Sequence, residues 1–132
     1  MRTLGAILGL QMKYLTDIEI RTLINSGKTL EIFLGRPADN NEIINWISLV
    51  KNKTEQVELS THSVFDDGDI DHLDIYSFEY VDPDQPFETK EFSTLDEALT
   101  FIRDTHELTD LRFVNQGVIQ EEYKRLKEKG NV

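Results

Sequence analysis

The sequence predicts an α+β fold in which a four-stranded, mostly antiparallel sheet has its helices packed on one face, with an extra helix at each end. Three observations predict it. Two segments begin with the same helix-capping pattern, a threonine three residues before a glutamate. Several short runs combine β-branched and aromatic residues between turn signals. The 132 residues contain no repeat or low-complexity linker, so residues 1–132 are expected to form a single domain.

The chain first predicts a helix and a strand. Thr16 and Glu19 form the first capping box, and Gly27 is typical of the position just after a helix end, so a helix is expected over residues 17–26. Residues 29–34 cluster β-forming side chains and are followed by a glycine and a proline, which is typical of a strand.

The next segment, residues 40–52, is predicted to be an amphipathic helix that crosses over the sheet. Its apolar residues recur at helical spacing, at Ile43, Ile44, Ile47 and Val50. Trp46 would then lie at the margin of the buried stripe. Because tryptophan on a helix flank often anchors an interface, Trp46 is a candidate partner-binding residue.

A hairpin is predicted in the middle of the chain. Residues 57–65 and 72–81 have the composition of strands, and the Asp67-Gly68 dipeptide between them favours a tight turn. A helix beginning after Thr94, a short strand in "LRFVN" and a polar C-terminal helix complete the pattern.

From residue 29 onward the order is β, α, β, β, α, β, which is the ferredoxin-like arrangement. The main rival is another α+β fold in which "ETKEF" adds a strand. In the crossover arrangement both helices pack on the central strands, so the following residues are expected in one core: Ile32, Ile43, Ile47, Leu59, Leu95, Leu99 and Ile102.

The charge is unevenly distributed. The chain has 25 acidic and 14 basic residues, and between Glu55 and Ile102 the only basic residue is Lys90. Such a surface repels phosphate backbones, so nucleic-acid binding is not expected. It would attract a cationic protein. The candidate partner-binding residues, besides Trp46, are Asp66, Asp67, Asp69, Asp71, Asp74, Asp82, Asp84 and Glu88.

The dense aspartates do not form a recognisable metal motif. Starting an EF-hand loop at Asp67 places His72 where a glycine is required and Phe78 where a glutamate must close the site. His62 and His72 could meet across the hairpin only if both pointed to one face. The expectation is therefore a solvated hairpin tip, with no metal and no cofactor.

No sequence motif identifies a reaction that this chain could catalyse. The chain has no cysteine, and it lacks the GxSxG, Walker, GxGxxG and HExxH patterns, so no catalytic residue is assigned and an enzyme is the less favoured class. Arg36, beside a predicted helix start, could hold an anion, although the same residues make an ordinary turn.

Two functions from different classes remain open. The first is a small acidic binding or inhibitor module for a basic protein, which is similar to immunity proteins by charge and size only. The second is a small-ligand-binding or regulatory domain, or a homodimeric enzyme, with a site on the sheet face lined by Tyr76, Phe78 and Tyr80. A homodimer would also cover an apolar second sheet face.

The N-terminal residues are a weak match to a signal peptide. The apolar run is short and contains two glycines, and no cleavage site follows, so a cytoplasmic location without membrane association is expected. Met12 could be the natural start, which would make residues 1–11 a non-native or flexible extension.

Overall fold

A computed structural model describes residues 14–130 and has an antiparallel five-stranded sheet with three helices. The prediction about residues 1–11 and Met12 lies outside the described residues. The elements, in chain order, are α1 (Asp17–Asn25), β1 (Leu30–Gly35), β2 (Ile43–Lys51), β3 (Val57–Phe65), a short 3₁₀ turn (Ile75–Ser77), β4 (Phe87–Phe92), α2 (Leu95–His106), β5 (Val114–Asn115) and α3 (Ile119–Gly130).

The two helix starts that were predicted from capping boxes are confirmed. Both capping boxes are formed: Thr16 caps α1 with Glu19, and Thr94 caps α2 with Glu97. In each box the threonine hydroxyl accepts from the glutamate N–H, and the glutamate carboxylate accepts from the threonine N–H. Free amides at the helix start are thereby satisfied by side chains close in sequence, so the pattern is readable from local sequence alone.

The predicted helix over residues 40–52 is wrong, because this segment forms strand β2. Ile47 of β2 pairs with Ile32 of β1 on one side and with Thr61 of β3 on the other. A central strand covered on both faces is apolar at almost every position, so its apolar residues also match helical spacing. The β-branched isoleucines are better suited to a strand.

The predicted strand over residues 72–81 is also wrong, and the rival with a strand at "ETKEF" is confirmed. β4 pairs with β3 from Val57 to His62, which occupies the edge that the predicted hairpin would have used. Residues 72–81 instead contain the 3₁₀ turn and a single bridge between Val64 and Tyr80. The sheet order is β4-β3-β2-β1-β5, so the four-stranded ferredoxin-like order is not confirmed.

The two faces of the sheet are covered by different elements. On the first face, α1 and α2 pack over β1, β2 and β3 in a core that includes Ile20, Ile24, Leu30, Ile32, Ile47, Leu49, Val57, Leu59, Leu99 and Ile102. The predicted contacts of Leu99, Ile102 and Ile47 with this core are confirmed, whereas Ile43 and Leu95 are only partly buried.

On the second face, α3 and the connection from β3 to β4 cover the strands. The buried residues there are Ile44, Trp46, Val64, Ile75, Phe78, Val114, Ile119 and Tyr123. Helices therefore pack on both faces and not on one as predicted. The reason is that α3 carries its own apolar side, Ile119 and Tyr123, which must also be buried.

Candidate functional site

The acidic segment, which we define as residues 66–88, joins β3 to β4 and includes the start of β4. Eight of its acidic residues are exposed, and none of them forms an ion pair with a lysine or arginine within residues 14–130. They are Asp67, Asp69, Asp71, Asp74, Glu79, Asp82, Asp84 and Glu88. The negative charge of this segment is therefore exposed to solvent and is not neutralised by a lysine or arginine of the described residues.

The turn of the acidic segment lies at Asp69–His72 and not at the predicted Asp67-Gly68 dipeptide. The backbones of Asp69 and His72 exchange two hydrogen bonds, of 3.2 and 3.0 Å. The Asp69 carboxylate accepts from the Asp71 N–H at 2.8 Å and contacts the His72 ring nitrogen at 2.9 Å. The neighbouring Asp69 carboxylate raises the pKa of His72 above its ordinary value.

Asp66 differs from the other acidic candidates because its carboxylate is inside the protein. Its side chain is 5% exposed and accepts from Arg36 at 2.9 Å and from Lys127 of α3 at 3.2 Å. The Tyr123 hydroxyl donates to the same carboxylate. Burial alone would raise the pKa of Asp66, but the hydrogen bonds from Tyr123, Arg36 and Lys127 outweigh it and lower the pKa. Asp66 anchors the segment rather than displaying charge.

Arg36 therefore holds an anion, as the sequence suggested, but the anion is the protein's own Asp66 carboxylate. No helix follows Arg36, since β2 is the next element. The helix N-terminus that was expected to contribute to an anion site is absent from this part of the chain.

Trp46 does not lie on the surface. It is 2% exposed, and its indole stacks on the His62 ring with the ring centres 4.9 Å apart and the planes 7° from parallel. The rings of Tyr76 and Trp46 are nearly perpendicular, and their centres are 5.8 Å apart. Because the predicted helix is a strand, the reason for placing Trp46 at an interface no longer applies.

These rings border a small cavity on the second face, which we call the sheet-face cavity. Its volume is about 120 Å³, and its walls are Thr29, Glu31, Trp46, Ser48, His62, Tyr76, Tyr80 and Gln116. Two of the three aromatic residues expected to line such a site, Tyr76 and Tyr80, do so. Phe78 instead is buried against Tyr123 of α3, with ring centres 5.5 Å apart.

Glu31 is the buried acid of the cavity. It is 2% exposed, and its Oε1 atom accepts from the Tyr76 hydroxyl at 2.6 Å and from the Gly117 N–H at 2.9 Å. Burial raises the pKa of Glu31, and the two hydrogen bonds oppose this only in part. Glu31 was not among the candidate residues predicted from the sequence, although a single charged residue within the apolar run "LEIFL" is a readable signal of a buried acid.

His62 and Ser48 also line the cavity, and Ser48 pairs with Glu31 across neighbouring strands. The Ser48 hydroxyl and His62 Nε2 are 3.0 Å apart, a spacing that a nucleophile and its base would have. His62 Nδ1 is buried and has no hydrogen-bond partner among the described residues, so no carboxylate orients the ring. The Gly117 N–H already donates to Glu31 and Tyr76. The arrangement therefore does not favour acyl transfer.

The histidines and carboxylates do not converge on a metal. In residues 14–130 no group of three or more His, Cys, Asp or Glu side chains is placed to hold one ion. His62 contacts Ser48, and His72 contacts Asp69, so the two histidines have separate surroundings.

His62 predicts an acid-sensitive stability. Burial lowers the pKa of His62 to about 4, whereas the unfolded chain takes up this proton near pH 6.5. Stability from the neutral imidazole is therefore complete above pH 6.5 and is lost as the pH falls toward 4. Between pH 7 and 4.5 we expect His62 to account for a fall of about 2 kcal/mol in the free energy of unfolding.

The measurement is urea unfolding of the protein and of His62→Gln across this pH range. His106 is also kept neutral by burial, which lowers its pKa, so both proteins carry His106→Gln. The difference in the free energy of unfolding between the two proteins should change by about 2 kcal/mol between pH 7 and 4.5. A constant difference would contradict the assignment of the low pKa to His62.

Comparisons with known proteins give no relative from which a role could be inferred. No protein-family model matches the chain, and neither does any curated protein or solved structure. Within residues 14–130, none of the three helices has the length and apolar character needed to cross a bilayer. The chain's function must therefore be argued from its own residues.

Proposed function

We propose that this chain is a small acidic binding or inhibitor module that docks a cationic protein partner, similar to immunity proteins by charge and size only. The observation that carries the proposal is the set of eight exposed acidic side chains in the acidic segment without a lysine or arginine partner within residues 14–130. Charges of one sign repel one another and cost stability, and interspersed charges of both signs would serve solubility equally well.

The anchoring of the acidic segment supports this role. At its start, Asp66 is tied to Arg36 of the β1–β2 connection and to Lys127 of α3. Farther along, Ile75 and Phe78 are buried in the second core. A surface held in one conformation before binding loses less entropy on association, so the exposed carboxylates are displayed in a form suited to docking.

A cavity beside the segment adds contact area for a partner. It has a volume of about 310 Å³ and lies between the end of the acidic segment and β3, with walls formed by Thr61, Ser63, Val81, Asp82, Gln85, Pro86, Phe87 and Glu88. Phe87 is one of the few large apolar side chains that are exposed in the described part of the chain. Aromatic side chains are enriched in protein interfaces, and the rim around them is polar, so Phe87 could be a central contact with the carboxylates at its margin.

The reason for expecting a homodimer is weakened. A second copy was expected to cover the second sheet face, but α3 and the acidic segment cover its apolar residues. The small-ligand alternative is favoured by one observation, the sheet-face cavity with Glu31 in its wall.

The proposal is tested by removing charge from the acidic segment at constant shape. In one variant Asp67, Asp69 and Asp71 are replaced by Asn. A matched control replaces three exposed acids elsewhere, Asp104→Asn, Asp110→Asn and Glu128→Gln. Each triple change raises the net charge from −11 by 3, to −8.

The partner is captured from cells with the unaltered protein, and association rates are then measured for all three proteins at low and high salt. We expect the acidic-segment variant to associate about tenfold more slowly at low salt, with the difference vanishing at high salt. The control should be slowed much less. Equal slowing by both variants would leave only a net-charge effect, and no slowing would mean that the charge serves solvation alone.

A further inference from the structure

The sheet-face cavity contains a carboxyl group without a counter-charge. Among residues 14–130, Glu31 is the only polar or charged residue that is buried as a whole. No lysine, arginine or histidine of this part of the chain lies within ion-pair distance of it. Asp66, the other enclosed acid, has two cations and shows how this protein normally stabilises such a group.

An uncompensated carboxyl at this depth is energetically unfavourable when ionised. Two hydrogen bonds, from Tyr76 and the Gly117 N–H, stabilise the charge only partly. A cation entering the cavity would gain the full attraction of a carboxylate that is already desolvated and oriented. The hydrogen bonds fix the position of Glu31, so it need not reorganise on binding.

The remaining walls are also suited to a cation. Trp46, Tyr76 and Tyr80 provide three aromatic rings, whose electron-rich faces attract an ammonium group. His62 Nδ1 has no partner within the described residues. That nitrogen is itself buried, and burial lowers the pKa of His62 to about 4, so His62 contributes a neutral ring to this wall and no charge that would repel a cation.

We infer that the sheet-face cavity binds an alkylammonium group, the head of a lysine side chain supplied by the cationic partner. The inference rests on the proposed function and names the chemistry of one contact within it. The volume of about 120 Å³ suits the end of one side chain better than a larger ligand. A compact ammonium head would face the Glu31 carboxylate, among the aromatic rings.

The test uses n-butylammonium chloride as the probe and the fluorescence of Trp46, the chain's single tryptophan, as the readout. Neutral n-butanol has nearly the same size and serves as the comparison, with ionic strength matched by sodium chloride. We expect a saturable change with n-butylammonium, with a Kd of ~1–10 mM, and none with n-butanol. An equal response to both probes, or a response to n-butylammonium that does not saturate, would overturn the inference.

Two variants assign the binding to the cavity. Glu31→Gln keeps the size of the side chain and an acceptor for Tyr76, and it should weaken probe binding at least tenfold. Tyr80→Leu retains Glu31 but removes one aromatic wall, and it should weaken binding several-fold. Circular dichroism confirms that each variant is folded, and a folded Glu31→Gln protein with unchanged affinity would overturn the inference.

The acidic-segment variant separates this inference from the proposed function. With Asp67, Asp69 and Asp71 replaced by Asn, probe binding should persist, because these side chains do not line the cavity. Slow partner association together with intact probe binding supports both proposals. If Glu31→Gln abolishes probe binding but the acidic-segment variant associates with the partner at an unchanged rate, the proposed function fails and the ammonium site stands. Loss of probe binding in a folded acidic-segment variant would overturn the ammonium site.

Discussion

Replacing Asp66 by Asn is expected to lower the free energy of unfolding by about 3 kcal/mol at pH 7. The Asp66 carboxylate is almost fully buried and accepts from Arg36, Lys127 and Tyr123. An asparagine would leave both cations partly buried without an anion, and its amide would present a donor to groups that are themselves donors. The cost of breaking such an arrangement exceeds the net contribution of the pairs themselves.

The matched control is Asp67→Asn, since Asp67 is adjacent, exposed and without an ion pair among the described residues. Its effect should lie within about 0.5 kcal/mol of zero. Urea unfolding at pH 7 measures both variants. Similar losses for the two would show that Asp66 is not the anchor of the acidic segment.

The Asp66 effect should also depend on pH in a defined direction. Its pKa is lowered from 3.8 in the folded protein, so its contribution is present above pH 3.8 and is lost as the pH falls through the lower folded value. The difference between the protein and Asp66→Asn should therefore shrink only in strong acid. The His62 effect is lost at higher pH, between 6.5 and 4, so the two can be separated.

Replacing Gly68 by Ala is expected to cost about 3 kcal/mol, for a purely steric reason. A Cβ atom at Gly68 would lie 2.2 Å from the His72 carbonyl oxygen, 2.4 Å from the Phe78 ring and 2.7 Å from the Tyr123 hydroxyl. Backbone and buried rings cannot move away without opening the contact between the acidic segment and α3. From the sequence, Gly68 was expected in a tight turn, whereas in the structure a glycine is required there because no space is left for a Cβ atom.

Gly27→Ala is the control, because Gly27 has the opposite properties. Its φ is +83°, and a Cβ there would meet nothing within 4 Å. Backbone strain alone should cost about 1 kcal/mol. Thermal and urea unfolding of both variants provide the comparison. If Gly68→Ala costs no more than Gly27→Ala, the close packing around Gly68 is not significant for stability.

The parts of the fold that could be predicted are those determined by neighbouring residues. The capping boxes of α1 and α2 and the apolar stripe of α2 depend on side chains within a few positions of one another. β2 could not be distinguished from a helix, because burial on both faces removes the alternation that identifies a strand. The residues that cover β2 belong to α1 and α2 on one face and to α3 and the acidic segment on the other, so they lie outside the strand's own sequence.

The candidate site was predictable in composition but not in its arrangement. Asp66 and Asp67 are adjacent aspartates that no local sequence pattern distinguishes. Only Asp66 contacts Arg36, 30 positions earlier, and Lys127, 61 positions later. Glu31 likewise depends on Tyr76 and Gly117, which are 45 and 86 positions away. Such long-range partners decide which carboxylates are enclosed and which face the solvent.

The sheet order determines which elements can assemble first while the chain is being synthesised. β1, β2, β3 and β4 pair as consecutive neighbours, and α2 follows them directly, so most of the first core can assemble while later residues are still being added. β5 then pairs back with β1, and α3 covers the second face. Until the ribosome releases α3, the apolar surface around Ile44 and Trp46 lacks its cover, and we expect a nascent chain at this stage to be a substrate for chaperones.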